Sequence, residues 1–311
     1  MLVVEQATLN QMIREAPRQG YGVSDIRADD DPAYALIAAI QEALKQNSLR
    51  LPSLPDMAFM IRQAADRPDC SVDDLVQLIT RDPAMTAKLI HVANSPLFRG
   101  FREIESCKDA VIRLGLEATR QLVTIYALRE LFSTRHAALR QRMQRLWEHS
   151  IQIAALSGVL ANMTPGLSRE RAVLAGILHD IGAIPAILFA EDQPQLVSNP
   201  ELLERLISET QADIGAALLQ HWQFAGDLIE VVTHAEDWQW ESGQDQATYA
   251  DVVIIAQMHQ AVREHRIGLP PMDQVPAFRK LALGELTPER SLQVLHMAED
   301  DIQQLKRTLT A

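Results

Sequence analysis

The chain has 311 residues, 47% hydrophobic, 5% aromatic and 23% charged, enough to bury a sizeable core in one large domain or two closely packed ones. A formal charge of −12, from 29 Lys and Arg against 41 Asp and Glu, argues against a general affinity for nucleic acid, which needs a basic face to neutralise phosphates. Leu, Ala, Gln and Glu recur, aromatics are few, and no stretch alternates with the two-residue period of a strand; the expected class is all-α.

Residues 1–31 read as an N-terminal extension. They open without a basic region followed by a long apolar run, so no signal peptide is expected. Asp31-Pro32 caps and opens a helix that continues through Lys45. The stretch LPSLP (51–55) is an extended connector because its prolines forbid helix before them. Ser71, Asp82-Pro83 and Ser106 then mark three helix starts, while Asn94-Ser95-Pro96 and Gly115 mark stops. A longer helix follows Gly115, and residues 32–135 form an N-terminal helical subdomain. Two cysteines, Cys70 and Cys107, make neither a disulfide framework nor a thiolate zinc site, which suits a reducing, cytoplasmic setting.

The basic run from Arg135 to Arg145 reads as a solvated helix face, leading into a long helix that carries Trp147 and His149. Ser168 starts an apolar helix that runs to His179 and Asp180, with Gly182 as its C-terminal cap. Ala172 to Ala190 is apolar enough to suggest a membrane span. An Asp at mid-membrane costs roughly 3 kcal/mol, however, so a core helix is expected and no membrane association. Further helices are expected at 201–208, 210–222, 227–238 and 249–264. The tail, residues 267–311, adds one or two more after an incomplete capping box of Thr287 and Arg290.

His179 and Asp180 are the most chemically suggestive pair, since a carboxylate embedded in apolar sequence must be satisfied by its neighbour, by backbone or by a metal. His221, His234 and His259 have no ligand spacing to one another and read as packed or exposed side chains. Trp222, Phe224, Trp238 and Trp240 concentrate the aromatics and read as packing at helix ends.

Five segments in order, LPSLP (51–55), RDPAMTAKLIHVANSPLF (81–98), SCKDAVIRLG (106–115), WEHS (147–150) and AGILHDIG (175–182), resemble the HDOD family of bacterial signalling proteins. The resemblance covers about Leu49 to Trp238. It implies a family-specific N-terminal bundle packed against an HD-like bundle, here residues 136–266. In active HD hydrolases a His, a His-Asp doublet and a distant Asp hold a divalent metal that activates water against a phosphate ester. His149 matches the first His, and His179 with Asp180 match the doublet. The position of the distant Asp is held by Gln257, with Asp251 six residues earlier as an imperfect substitute. Gln211, and Ala235 with Glu236, stand where relatives carry histidines for a second metal, which argues against a two-metal centre.

The resemblance implies a signal-transduction output protein, non-catalytic or weakly catalytic, that acts on other signalling proteins and carries a degenerate metal site. No cofactor is expected, one divalent ion (Fe, Mn or Mg) being the conceivable exception. The alternatives are a metal-dependent phosphohydrolase of nucleotides or cyclic dinucleotides, and a domain that senses a nucleotide without hydrolysing it. No basic cluster adjoins the doublet in sequence; Lys88, Arg113 and Arg120 are the nearest candidates to supply charge to a phosphate. Oligomeric state is left open.

Overall fold

The computed structural model describes residues 32–281, 296 and 299–310, apart from 47, 48, 50, 66, 68, 97, 99 and 101. The described residues are helical, with no strand among them. The N-terminal extension, and the Thr287–Arg290 pair in the tail, lie outside the described residues.

The first half is a set of short helices: α1 (Pro32–Lys45), α2 (Asp56–Ala65), α3 (Val72–Ile79), α4 (Pro83–Ala93), α5 (Cys107–Leu114) and α6 (Leu116–Leu128). Local side chains close their ends. Ser71 and Asp74 form a reciprocal capping box at α3, the Asp82 carboxylate accepts from the backbone N–H groups of Ala84 and Met85 at α4, and Ser106 caps α5. Gly115 ends α5 and begins α6 with φ of 81°, a conformation that costs any other residue strain. Asn94, expected only to stop α4, also reaches across the following loop. Its Nδ2 donates to the Ile104 carbonyl at 2.7 Å and its Oδ1 accepts from the Ile104 N–H at 2.9 Å.

The second half is built from longer, more deeply buried helices. They are α7 (Ala137–Asn162), α8 (Arg169–Leu178), α9 (Ala183–Ala190), α10 (Pro194–Ser198), α11 (Pro200–His221), α12 (Gly226–His234) and α13 (Tyr249–Arg263). The short α14 (Pro276–Lys280) packs on α13, and α15 (Glu299–Thr310) packs on α7. The apolar segment Arg169–Ala190 is long and apolar enough to cross a membrane by composition alone. Its most apolar 18 residues are 89% buried within the fold, and it turns at residues 179–182, as a core segment does.

Besides the helix expected at 227–238, which ends at His234, two expectations about helix limits need correction. Residues 200–221 form one helix, α11, where two were expected, without a break near Ser208. The hydroxyls there serve the helix itself: Thr210 Oγ1 donates to the Leu206 carbonyl at 2.7 Å and Ser208 Oγ to Arg205 at 3.0 Å, so neither acts as a cap. The second concerns Gly182, which is not a left-handed C-terminal cap. It has φ of −67° and precedes α9, and α8 already ends at Leu178. Its glycine identity is steric: a Cβ there would lie 1.9 Å from the Gln211 carbonyl oxygen and 2.5 Å from the Gly215 nitrogen.

One hydrophobic core runs through both halves, from Ile40 and Ile61 through Ile125 and Leu156 to Ile254 and Ile302. α2 packs on α6, α6 on α8, and α1 on α11. A polar staple reinforces this seam. Arg62 on α2 donates to the carbonyls of Trp222 (2.7 Å) and Gln223 (2.5 Å) at the end of α11 and lies 3.9 Å from the Phe224 ring centre. The Trp222 indole N–H donates to the Pro52 carbonyl of the LPSLP connector at 3.0 Å. Trp222 and Phe224 therefore pack at a helix end and fasten the halves together. In the tail, Ile302 and Leu309 are fully buried, and the Tyr126 hydroxyl donates to the Thr308 carbonyl at 2.5 Å.

Candidate metal centre

α7 and α8 approach until their backbones meet: a Cβ on Gly176 would lie 2.4 Å from the Ala154 Cα. This contact sets the height of the next turn of α8, where His179 and Asp180 follow, against the turn of α7 that carries His149. The three side chains converge, their ligand atoms lying within 4.8 Å of one another. His179 Nε2 is 3.2 Å from His149 Nε2 and 3.1 Å from Asp180 Oδ2, and His149 Nε2 is 3.6 Å from the same oxygen.

The other ring nitrogen of His179 lies 2.7 Å from the Gly176 carbonyl oxygen. A carbonyl only accepts, so Nδ1 carries the proton and Nε2 points at the cluster, the arrangement in which metal-binding histidines are usually oriented. A lone pair at Nε2 facing the Asp180 carboxylate is satisfied by a second proton on the ring or by a cation. Asp180 Oδ1 is buried without a hydrogen-bond partner, a costly state for a carboxylate oxygen. Two imidazoles and a carboxylate with an unpartnered oxygen fit a borderline divalent ion such as iron or manganese.

The titration behaviour suits the same use. Burial, and then the neighbouring His179, hold His149 down at about 4, so it is neutral near pH 7 as ligation requires. Burial works against charge on His179, but the Asp180 carboxylate and the Gly176 carbonyl outweigh it and raise its pKa. Burial would raise Asp180; the adjacent imidazoles instead bring it to about 2.

Gln257, at the position of the absent aspartate, is committed elsewhere. Its Nε2 donates to the Ala235 carbonyl at 2.7 Å. Asp251 does not substitute for a ligand: it is fully buried at the start of α13, where it accepts from the Thr248 N–H at 2.8 Å and sits 3.8 Å from Lys280. Lys88 lies over the Tyr126 ring at 5.0 Å. Arg113 donates to the Ala93 and Arg102 carbonyls, and Arg120 pairs with Glu117. All three belong to the first half's own packing.

The positive charge at the centre comes from the segment expected to be a solvated face. Arg142, seven residues before His149 and so on the same face of α7, acts electrostatically on both His149 and Asp180. It is held by Glu204 of α11 through contacts of 2.5 and 2.9 Å. The i, i+7 spacing was available in the sequence, hidden among three other arginines. Glu236 is exposed as a residue; lost hydration and the charge of Asp180 raise its pKa to about 7, against the pull of His179 and Arg266. Of the remaining histidines, His221 is exposed, His234 stacks on Trp240 with ring centres 4.9 Å apart, and His259 is buried on α13. Neither the surface groove of about 380 Å³ between α2 and α3 nor a void of about 20 Å³ near Gln121 and Arg169 is lined by these ligands.

The chain belongs to the HDOD family, whose domain pattern matches residues 51–238. It is 28% identical over 197 residues to an uncharacterized protein of Treponema pallidum (strain Nichols), an alignment that covers 58% of this chain. The chain spans only 37% of the length of that curated relative. Among solved structures, a protein of Shewanella amazonensis SB2B provisionally named a metal-dependent phosphohydrolase is 29% identical, with a TM-score of 0.76 over 89% of this chain and 99% of that one. An HDOD domain protein of unknown function from Geobacter sulfurreducens shares the fold at 21% identity and a TM-score of 0.64, over 88% and 96% of the two chains. So does a Marinobacter aquaeolei VT8 protein provisionally named for signal transduction, at 21% identity and a TM-score of 0.61, over 97% and 72%.

Proposed function

We propose that this protein is a cytoplasmic signal-transduction output domain in which one divalent cation at His149, His179 and Asp180 clamps α7 to the α8–α9 turn, with little or no hydrolytic turnover. The observation that carries this reading is the buried Asp180 carboxylate, whose Oδ2 faces two imidazole nitrogens and whose Oδ1 has no hydrogen-bond partner, with Gln257 spending its amide on a backbone carbonyl. The donor set suits a bound ion. The helix position that completes an HD hydrolase contributes no charge to it. Family membership supports output through another signalling protein, and the free Cys70 and Cys107 suit a reducing compartment.

A second reading, a metal-dependent phosphohydrolase, is favoured by Arg142 and Arg266 near the centre and by the name of the Shewanella relative. One experiment separates the two. Protein purified without chelator should carry about one equivalent of divalent metal that is lost in His179→Ala and Asp180→Ala. Its hydrolysis of bis-p-nitrophenyl phosphate and of nucleotides should not exceed that of the Asp180→Ala variant. Turnover that disappears with Asp180 would establish the hydrolase; absence of metal even after reconstitution would end both readings.

A further inference from the structure

The last helix, α15, lies beyond the stretch that matches the family, residues 51–238. Its sequence, EDDIQQLKRTLT, is rich in charged and amide side chains. Ile302 and Leu309, seven residues apart and so on one face, are fully buried in the common core. Twelve residues are too few to hold a helix alone in water, so α15 owes its order to its seat.

That seat straddles the two halves. α15 packs on α7 of the second, and the Tyr126 hydroxyl on α6 of the first donates to the Thr308 carbonyl at 2.5 Å. Thr308 stands in the last turn, where carbonyls have no partner within the helix, so Tyr126 reads a helix end and not a particular side chain. Lys88 Nζ lies 5.0 Å from the centre of the Tyr126 ring, a positive charge on the side of the negative pole of the helix dipole. At its start, α15 is tied by Glu299 to Arg263 at 3.7 Å, between partly exposed side chains, a contact that adds little.

We propose that the surface of α6 and α7 beneath α15 is a docking groove for an amphipathic helix of a partner protein, and that α15 keeps it closed. This gives the output reading above a surface, and it stands whether or not the centre holds an ion. What seats α15 is generic: two apolar side chains seven residues apart and a free carbonyl at the helix end, which any amphipathic helix of that spacing presents. Being part of the same chain, α15 fills the groove at high effective concentration until a helix that binds more tightly displaces it. Because α7 also carries His149, an occupant of the groove and the residues of the centre share one element.

The test is the fluorescence anisotropy of a labelled peptide of residues 296–311, HMAEDDIQQLKRTLTA. It is titrated with the full chain, with the double variant Ile302→Asp/Leu309→Asp and with Ile302→Ala. The parent should bind about tenfold more weakly than the double variant, with Ile302→Ala between, and a peptide carrying both aspartates should not bind. Thermal denaturation and size-exclusion chromatography should show the double variant folded and of the parent's size. A folded double variant that ignores the peptide, or a parent that binds it equally well, overturns the proposal. Self-association of the double variant also overturns it, because the groove then takes a second copy of the chain. If the double variant does not fold, Ile302→Ala decides: peptide binding no tighter than the parent's overturns the groove. Metal content is measured separately, so failure here leaves the metal-centre reading untouched.

Discussion

The two halves are both helical and share one core, yet they are held together by different means. In the first, short helices end in side-chain caps that act within a few residues of sequence: Ser71 on Asp74, Asp82 on Met85, Ser106 on Asp109. In the second, caps recur at Ser168, Asn199 and Thr248, but the decisive contacts are backbone against backbone, at Gly176 on Ala154 and Gly182 on Gln211. The first half is specified locally and the second by approach. The second half is also where the centre sits, since close approach is what brings groups thirty residues apart within bonding distance.

The sharpest way to break this comparison is with alanine at a glycine in each half. Gly182→Ala must displace α11 from the doublet's turn, and we expect a loss of about 3 kcal/mol or more in urea denaturation, with loss of metal binding. Gly115→Ala meets no atom within 4 Å and carries only the strain of a backbone conformation reserved for glycine, φ 81° and ψ 163°, about 1–3 kcal/mol, with metal binding intact. Loss of metal binding at both sites would refute the contrast.

Acid should also act on the second half first. His259 is fully buried there with its pKa held down at about 4 by burial, whereas His91 of the first half is exposed. Unfolded His259 takes a proton below pH 6.5 and the folded residue does not until about 4. Its contribution is therefore intact above pH 6.5 and falls by about 3 kcal/mol as pH drops from there to 4. His149, depressed for the same reason, adds to this slope in the metal-free protein. His179, raised, works the other way: its contribution is present at low pH and lost as pH climbs through its folded pKa. Stability curves between pH 4 and 7 should flatten in His259→Leu by about one proton's worth of slope; an unchanged slope would mean that His259 is hydrated in the fold.

A smaller effect is expected at the seam. Arg62→Ala removes two charged hydrogen bonds and the contact with Phe224, and should cost about 2 kcal/mol. Calorimetry should then show whether the halves still melt in one transition, as a shared core predicts; two separated transitions would mean that the staple, not the core, couples them.

Much of this molecule was legible in its residues. The all-helical class, the caps at Ser71, Asp82, Ser106 and Ser168, and the stops at Asn94 and Gly115 rest on chemistry between near neighbours, which sequence displays. The convergence of His149, His179 and Asp180 came from the resemblance, since spacing alone does not join α7 to α8. What sequence concealed was tertiary. Thr210 looks like a helix start until its hydroxyl is seen bonded to Leu206. Gly182 looks like a cap until Gln211 is seen against it. Arg142 looks solvated until Glu204 is found to hold it.

One consequence belongs to α11. At 22 residues it is a rod about 33 Å long. It rests on α1, and its C-terminal end is gripped by Arg62. Its middle, about 16 Å from that grip, meets the turn of the doublet through Gln211. A continuous helix has no hinge at which one of these contacts can move while the others stay. Had it been two helices, as its hydroxyls first suggest, the first half and the half that carries His149, His179 and Asp180 would be merely glued; as one, they are geared.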